Sequence, residues 1–374
     1  MPDRRYDVAV VGAGIIGSSC AMELAQRGRS VVWLEAADVA SDTSCRAMGH
    51  VGVYDDSEAQ LTLTRFGRGL WESLAAELPP EVDYVRRGAL WVARTEEEMT
   101  EVEQKAQVYE HAGVDAEVVD SRTLAEMEPN LRPGLPGALF VPGDIVLDAA
   151  EATHYLARRA QAFGAELRTR SPVGSVLPDG VRLSEGVTVR ADQVVVATGW
   201  QAPTLIPSLP LRPRKGHIAL TVPRPGFVRH QLSEVGYVRG AEPETPESIT
   251  FSFQPRTSGR NLIGATRQYV GTSTEVDPRI IERLMARARE FLPEVDRIGI
   301  ERTWAGLRPA GPDAVPIIGM MPGRPNLLLA VAHEGIGITT CLATARLIAE
   351  VAEGRPTSIR IDPYRPERFA LTPP

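Results

Sequence analysis

The stretch Val8-Ala-Val-Val-Gly-Ala-Gly-Ile-Ile-Gly17 decides the fold of this chain. It joins a short apolar run, residues 6–11, to a segment with helical spacing, residues 15–27, that ends at Gly28. A second apolar run, residues 30–35, follows directly. The pattern predicts a strand, a helix and a second strand, the unit from which parallel α/β sheets are built.

Three glycines form a G-x-G-x-x-G fingerprint between that strand and that helix. Gly12 permits a tight turn, Gly14 lets the backbone approach a pyrophosphate, and Gly17 allows close helix packing. Glu35 follows Gly12 by 23 residues and can accept hydrogen bonds from both ribose hydroxyls, whereas it would repel the 2′-phosphate of NADP. The alternative is a glycine turn in an unrelated α/β protein. We expect the dinucleotide to contact Gly12, Ala13, Gly14, Ile15, Ile16, Gly17, Glu35 and Ala36.

The chain beyond this unit favours FAD over NAD. An NAD dehydrogenase would continue with regular βα units, but residues 36–56 form a loop of small and polar residues. An apolar run typical of a strand buried on both faces returns only at residues 193–198. The end of that run offers a second close approach to the dinucleotide, or else an ordinary strand-to-loop glycine. Its candidate contacts are Ala197, Thr198, Gly199 and Trp200.

A third glycine-rich segment, residues 333–339, lies between an apolar strand and a helix. Amides at that helix N-terminus would face the negative charge that a reduced flavin develops at N1 and the C2 carbonyl. The alternative is a glycine loop with a threonine cap. The candidate contacts are His333, Glu334, Gly335, Ile336, Gly337, Ile338 and Thr339.

Arg308 follows Trp304-Ala-Gly-Leu at the end of a short β-like run, residues 300–304, and precedes Pro309. An arginine among apolar residues can bind a substrate carboxylate through paired hydrogen bonds. The alternative is a structural salt bridge.

Composition excludes several classes of protein. The chain has 374 residues, with 43% hydrophobic and 24% charged residues, which excludes disorder as its main state. A net charge of −7 without a basic run argues against a nucleic-acid partner. The three cysteines, Cys20, Cys45 and Cys341, lack the spacing of disulfide frameworks or metal sites, and no run is long enough to span a membrane. We therefore expect a cytoplasmic protein without a metal.

Several helix starts are visible in the sequence. Thr95-x-x-Glu98 is a capping box, Asp148-x-x-Glu151 is a second one, and Asp277-Pro278 opens a third helix. Strand-like alternation is found at residues 216–222, 249–254 and 262–266. These features predict a second domain built on a mixed sheet.

Taken together, these segments resemble the D-amino-acid oxidase superfamily of flavoproteins, in its branch of glycine oxidase, sarcosine oxidase and D-proline or D-hydroxyproline dehydrogenase. The resemblance covers nearly the whole chain. It is carried by GAGIIG (12–17), TSCRAMGH (43–50), VVVATG (194–199), QPRTSGRNLIGATRQY (254–269), WAGLRPAGPDAVPIIG (304–319) and HEGIGITTCLATARLI (333–348). HEGIGITT and AMGH look most like the hydroxyproline dehydrogenase and opine oxidase β-subunit type.

The resemblance implies an α/β fold with two interleaved domains. The first is a Rossmann-like FAD-binding domain of the two-dinucleotide type, formed by residues 1–81, 148–211 and 299–374. The second is an α+β substrate domain on a mixed, largely antiparallel sheet, formed by residues 82–147 and 212–298.

The resemblance also implies roles for residues outside the three glycine-rich segments. Thr43 and Ser44 would touch the ribityl chain or pyrophosphate, Val173 the adenine, and Met48, Gly49, His50 and Gly306 the flavin. Arg308 would anchor the substrate carboxylate beside the flavin, and His50 could contact substrate or merely cap a loop. Phe251 and Phe253 are further candidates for the substrate pocket; we expect only one to reach it, since strand side chains alternate between faces.

Three departures from the branch affect the chemistry. Gly306 stands where some sarcosine oxidases tether the flavin through a cysteine, so we expect FAD to bind non-covalently. Ser252 and Gly335 stand where glycine oxidases carry a tyrosine and an arginine, which favours a bulkier or N-substituted substrate.

By this resemblance the protein oxidises the C–N bond of glycine or an N-substituted glycine by hydride transfer from Cα to flavin N5, without a dedicated catalytic acid or base. The imine is hydrolysed, and O2 reoxidises the flavin to give H2O2. One alternative is the flavin subunit of a D-proline, hydroxyproline or opine dehydrogenase that passes electrons to a partner. Another is a flavin-binding protein without catalysis. The sequence leaves the oligomeric state open, with a homo-oligomer among the alternatives.

Overall fold

The computed structural model describes residues 4–236 and 246–374. The helices of this part are α1 Ile15–Gln26, α2 Glu58–Leu74, α3 Glu96–His111, α4 Ser121–Met127, α5 Ala149–Ala162, α6 Pro278–Arg289 and α7 Gly337–Ala352. Its strands are β1 Arg5–Val11, β2 Val31–Leu34, β3 His50–Val51, β4 Val85–Arg86, β5 Ala89–Ala93, β6 Glu117–Asp120, β7 Gly137–Val141, β8 Ile145–Val146, β9 Glu166–Arg168, β10 Val173–Leu177, β11 Gly180–Leu183, β12 Thr188–Val196, β13 Arg212–Thr221, β14 Gln231–Glu234, β15 Glu247–Pro255, β16 Asn261–Gln268, β17 Ile300–Ala310, β18 Ile317–Met321 and β19 Arg324–Val331.

The first sheet has a parallel centre in the order β9-β2-β1-β12-β19. Strands β10, β11 and β18 extend it with antiparallel pairs. Neighbouring valines of β12 belong to different cores: Val195 packs with helices α1, α5 and α7, whereas Val194 and Val196 pack on the opposite face. Both faces are therefore covered, which explains why the central strands are continuously apolar. The predicted opening strand-helix-strand unit is confirmed as β1-α1-β2.

The second sheet has the order β17-β13-β16-β15-β14-β5-β7-β6. Only the pair β14–β5 is parallel, so the expected mixed, largely antiparallel sheet is confirmed. Helix α6 packs on one face, where Leu284 and Phe291 join an apolar core with Ile263. The other face is turned towards the first sheet at the cavity described below.

One strand departs from the predicted segment boundaries. β17 pairs with β13 in the second sheet, although residues 299–374 were assigned to the FAD-binding domain. The predicted run at residues 300–304 continues through Arg308 to Ala310 because the pairing with β13 runs along its whole length. Arg308 therefore lies within a strand, opposite Arg214.

The helix starts follow the sequence signals. The Asp148 carboxylate accepts from the amides of Ala150 and Glu151, each at 3.0 Å, and thus caps α5. The Thr95 hydroxyl accepts from the Glu98 amide at 3.3 Å, but the Glu98 carboxylate accepts from the Arg94 amide rather than from that of Thr95. The first hydrogen bond of the predicted capping box is therefore present, whereas the return bond from the Glu98 side chain goes to the residue before Thr95. Among the described helices, none has the length and apolar composition to cross a membrane.

Candidate active site

One cavity lies between the two sheets. On one side it is lined by the ends of β1, β2 and β12, at Val11, Leu34 and Ala197. On the other it is lined by the face of the second sheet, including Gly216 of β13 and Arg308 of β17. Ligands of parallel α/β sheets bind beyond the carboxyl ends of the strands, which is where this cavity is found.

The glycine turn after β1 is shaped by close backbone contact. Gly12 has a φ of +104°, and a Cβ there would lie 2.6 Å from the carbonyl oxygen of Ala197. A Cβ on Gly17 would overlap the carbonyl oxygen of Gly12. Glu35 accepts from the Ala13 amide at 2.6 Å through Oε2 and from the Ala37 amide at 2.8 Å through Oε1. Its carboxylate is thus fixed at the cavity edge, and each oxygen keeps a lone pair for a ribose hydroxyl.

The loop after β2 completes the start of α1. Helix α1 has no side-chain cap of its own at Gly14, but the Ser44 hydroxyl accepts from the Ile15 amide at 2.9 Å. Thr43 donates to the carbonyl of Leu307 at 2.7 Å, which ties this loop to β17. Gly14 and Ile15 line the cavity, so the positive end of the helix faces it, as anion binding requires.

The cavity wall contains buried polar atoms that have no partner among the described residues. They include Oγ1 of Thr198 and Oε1 of Gln254, both on residues that line the cavity. Gln254 is held by its Nε2, which donates to the Met48 carbonyl at 2.7 Å. A buried polar atom left without a hydrogen bond costs about 1–3 kcal/mol, so these atoms indicate a ligand. Together with the glycine turn and Glu35, they fit a bound dinucleotide that carries a flavin.

The loop before α7 gives the cavity a second helix N-terminus. Gly335, Gly337 and Ile338 line the cavity, and the helix has no side-chain cap at Ile336. The His333 ring is hydrogen-bonded to the Thr344 hydroxyl at 2.9 Å, and complete burial lowers the pKa of His333 to about 3. His333 is therefore neutral at physiological pH and leaves the helix N-terminus as the source of positive potential.

Most predicted contact residues lie in the cavity wall, and their role as contacts stays a prediction. They are Gly12, Gly14, Ile15, Ile16, Glu35, Ala36, Thr43, Ser44, Met48, Gly49, His50, Val173, Ala197, Thr198, Gly199, Trp200, Gly306, Arg308, His333, Glu334, Gly335, Gly337 and Ile338. Four others lie behind the wall: Ala13, Gly17, Ile336 and Thr339. Thr339 instead donates its hydroxyl to the His50 carbonyl at 3.2 Å.

Arg308 is half-buried, and its side chain extends over Gly216. Its Nη1 donates to the Thr266 carbonyl at 2.9 Å, which holds the guanidinium at the cavity surface. Arg214 and Arg267 lie nearby, at 3.8 and 3.9 Å from Oε1 of Glu334. Burial lowers the pKa of Arg214, and the charges of Arg267 and Arg308 lower it further. The Glu334 carboxylate opposes this shift, but there are three arginines to this one carboxylate, so the net positive charge around Arg308 suits a substrate carboxylate.

Phe251 and Phe253 are not in the cavity, so this prediction was wrong. Both lie on the other face of the sheet, where Phe251 stacks on Phe291 with a centroid distance of 4.3 Å. Because they are two residues apart in one strand they share a face, and the side chains that reach the cavity are Ser252 and Gln254.

The sequence analysis did not identify a row of cavity residues that crosses three neighbouring strands of the second sheet. Trp91 of β5 pairs with Ser233 of β14, which pairs with Ser252 of β15. The Gln231 side chain donates to the Ser252 hydroxyl at 2.9 Å. The alternation of polar and apolar residues in β14 and β15 could have identified this polar face.

His50 is the centre of a hydrogen-bonded group at the cavity wall. Its Nε2 lies 3.0 Å from Oδ2 of Asp144, and its Nδ1 lies 3.0 Å from the hydroxyl of Tyr54. Strand β3 pairs with β8, which brings His50 next to the residue that precedes β8, Asp144. Asp144 is 94 residues from His50 in sequence, so only the fold brings these two together. Tyr54 is four residues from His50 but belongs to no motif that marks it as a site residue.

Comparisons with known proteins agree with this geometry. The family described as FAD dependent oxidoreductase (DAO) matches residues 7–351. Glycine oxidase of Geobacillus kaustophilus (strain HTA426) is 29% identical over 377 residues, which cover 96% of this chain and 96% of the relative. D-amino acid dehydrogenase of Paramagnetospirillum magneticum (strain ATCC 700264 / AMB-1) is 29% identical over 326 residues, which cover 84% of this chain and 74% of the relative.

Solved structures extend the likeness to three dimensions. The crystal structure of glycine oxidase from Geobacillus kaustophilus has a TM-score of 0.87 at 27% identity and covers 96% of this chain and 98% of that chain. The structure of L-proline dehydrogenase from P. horikoshii has a TM-score of 0.88 at 22% identity, covers 98% of both chains, and shows the shared fold alone. Since the family match spans most of the chain, this protein belongs to the FAD dependent oxidoreductase (DAO) family and is an FAD-dependent oxidoreductase.

Proposed function

We propose that the protein oxidises the C–N bond of a small amino acid, glycine or an N-substituted glycine. The single observation that carries this proposal is Arg308, whose guanidinium lies in the wall of the same cavity as the dinucleotide turn. FAD, when bound, accepts two electrons and a hydrogen from the substrate. The residues of the chain hold the carboxylate and fix the orientation of Cα, and such positioning is a large part of catalysis.

The choice of an N-substituted substrate is supported by the cavity wall. Ser252 and Ser233 stand side by side where a larger side chain would fill the space, and Gly335 adds no side chain near Arg308. The glycine oxidase relatives at 27–29% identity support oxidation at an amino acid Cα. The product would be an imine, which water hydrolyses to an oxo acid and an amine.

The cofactor is proposed to be bound without a covalent link. No cysteine is among the described residues that line the cavity, and the His50 and His333 rings are both hydrogen-bonded to other side chains.

Three free thiols support a reducing location such as the cytoplasm.

Anaerobic reduction of the FAD-loaded protein tests the proposal. Glycine, sarcosine, larger N-alkyl glycines, D-proline and D-alanine are mixed in turn with the protein, and loss of flavin absorbance is recorded. Reduction by at least one of these amino acids is expected, and bleaching by none of them would contradict the proposal and favour a flavin protein without this catalysis.

A second candidate is a dehydrogenase that passes electrons to a partner. It is favoured by the relatives called D-amino acid dehydrogenase, at 29–30% identity. Air is admitted to the reduced protein to separate the two. Rapid reoxidation with formation of H2O2 supports an oxidase, whereas slow reoxidation in air and fast reoxidation by an artificial electron acceptor support a dehydrogenase.

A further inference from the structure

Tyr54, His50, Asp144 and Arg68 form a continuous hydrogen-bonded chain at the cavity wall. The Tyr54 hydroxyl lies 3.0 Å from Nδ1 of His50, and Nε2 of His50 lies 3.0 Å from Oδ2 of Asp144. The other carboxylate oxygen, Oδ1, accepts from Nη1 of Arg68 at 3.1 Å. Tyr54 and His50 line the cavity, whereas the side chain of Asp144 is 1% exposed and lies behind them.

The ion pair between Arg68 and Asp144 fixes the direction of the hydrogen bond between Asp144 and His50. Because Asp144 is paired with Arg68, it is a carboxylate and can only accept, so Nε2 of His50 carries the proton. In the neutral form of His50, Nδ1 is therefore the acceptor, and the Tyr54 hydroxyl donates to it. A phenolic oxygen that donates its proton still has lone pairs with which to accept another.

We propose that Tyr54 and His50 remove the proton from the substrate's amino group before its C–N bond is oxidised. The ammonium proton passes to the Tyr54 oxygen while the Tyr54 proton passes to Nδ1 of His50. The products of this step are a neutral amine and an imidazolium that faces the Asp144 carboxylate. No electrons move, and the proton leaves His50 for solvent after turnover.

The surroundings supply a reason for this transfer. The inference rests on the proposed function, in which Arg308 holds the carboxylate beside two further buried arginines. An ammonium group in that electropositive region is unfavourable, whereas an imidazolium beside Asp144 is compensated. Around Tyr54 and His50, Asp144 pairs with Arg68, Arg256 lies next to Gly49, and the ammonium of the Lys105–Asp55 pair lies 4.6 Å from the centroid of the Trp91 ring that contacts Tyr54. Two further carboxyl groups belong to these surroundings: Asp56, whose pKa burial raises to about 6, and Glu334, which faces Arg214 and Arg267 at the cavity.

Under this proposal Tyr54 and His50 are catalytic residues, and Asp144 is a positioning residue. The first test is the pH dependence of anaerobic flavin reduction by glycine and by sarcosine. In Tyr54→Phe, the rate at low substrate concentration and about pH 7 should fall by roughly 100-fold, because only the scarce neutral form of the amino acid then binds productively. The rate should approach that of the wild type near pH 10, where much of the amine is neutral in solution. Tyr84→Phe is the matched control, because its buried hydroxyl has no partner among the described residues and lies outside the cavity.

A second readout does not depend on oxidation. 2-Aminoisobutyrate has the carboxylate and amine of an amino acid but no hydrogen on Cα, so it can bind without reacting. Calorimetric titration in buffers of different ionisation enthalpy counts the protons released on binding. The wild type should release about none, because the proton stays on His50. Tyr54→Phe and His50→Gln can take up only the neutral amine beside the arginines, so they should release about one proton and bind more weakly.

Parallel pH profiles in the wild type and Tyr54→Phe, or equal proton counts in the wild type and both variants, would overturn the proposal. If neither amino acid reduces the wild-type flavin, glycine and sarcosine are excluded as substrates, and the calorimetric proton count alone decides whether the relay exists. A role of Tyr54 in stability only would lower the rate equally at every pH.

Discussion

Gly216→Ala tests whether Arg308 is the carboxylate anchor without changing the arginine itself. A Cβ on Gly216 would lie 2.6 Å from Nη2 and 2.7 Å from Cζ of Arg308, and closer still to Nη1. Ordinary contact begins near 3.4 Å, so the guanidinium must move by at least 0.8 Å, the difference between 3.4 and 2.6 Å. It also loses its bond to the Thr266 carbonyl. A displacement of this size removes about one charge-assisted hydrogen bond to the ligand, which is worth about 1.5–3 kcal/mol.

This loss predicts that carboxylates bind about 10- to 100-fold more weakly to Gly216→Ala than to the wild type. Acetate and glycolate are titrated into the FAD-loaded protein, and the shift in flavin absorbance gives the dissociation constant. Gly69→Ala on α2 is the control, because no atom lies within 4 Å of the added Cβ. The affinity of this variant for acetate and glycolate should equal that of the wild type. Wild-type affinity in Gly216→Ala, with the fold intact by thermal unfolding, would refute the assignment of Arg308.

Three further predictions concern the anchor, the dinucleotide and pH. Arg308→Leu should raise the KM of carboxylate substrates by a factor equivalent to at least about 2–3 kcal/mol, measured by steady-state kinetics. Glu35→Ala should weaken FAD binding by about 1.5–3 kcal/mol in a fluorescence titration, because the Ala13 amide and a ribose hydroxyl both lose their acceptor. Burial lowers the pKa of His333 from the ordinary value of 6.5 to about 3. Below pH 6.5 the unfolded chain takes up a proton at this residue and the folded chain does not, so the free energy of unfolding falls as the pH is lowered through 6.5. Between pH 7.5 and 5.5 the wild type should lose about 1.4 kcal/mol more unfolding free energy than His333→Gln in urea titrations.

The sequence predicts the first sheet well and the second only in outline. Residues 6–35 are recognisable because strand, glycine turn, helix and acidic residue are contiguous, and each follows local rules. The second sheet joins β5, β14 and β17, which are far apart in the chain, and no local pattern specifies such pairings. For that reason no local signal showed that β17, in the segment 299–374 grouped with the FAD-binding domain, pairs with β13, although Arg308 on it was singled out and lies in the cavity wall.

The candidate site divides in the same way. Residues that act through their backbone, such as Gly12 and Gly335, are visible in the sequence as glycine spacings. Asp144 is not, because its contact with His50 depends on the pairing of two-residue strands. Tyr54 is not either, because its contact with His50, four residues away, depends on the path of the loop after β3. The prediction for Phe251 and Phe253 was wrong because it placed them on the wrong face of the strand. Strand residues two apart lie on the same face, and the face of Phe251 and Phe253 packs in the apolar core.

The most direct test of the central claim, that Arg308 holds an amino acid carboxylate beside the FAD, is anaerobic flavin reduction in the wild type and in Arg308→Leu. We predict that both proteins bind FAD and are yellow, that at least one of glycine, sarcosine and D-proline bleaches the wild type, and that Arg308→Leu is bleached at least about 30-fold more slowly at low substrate concentration. Equal rates in the two proteins would contradict the account.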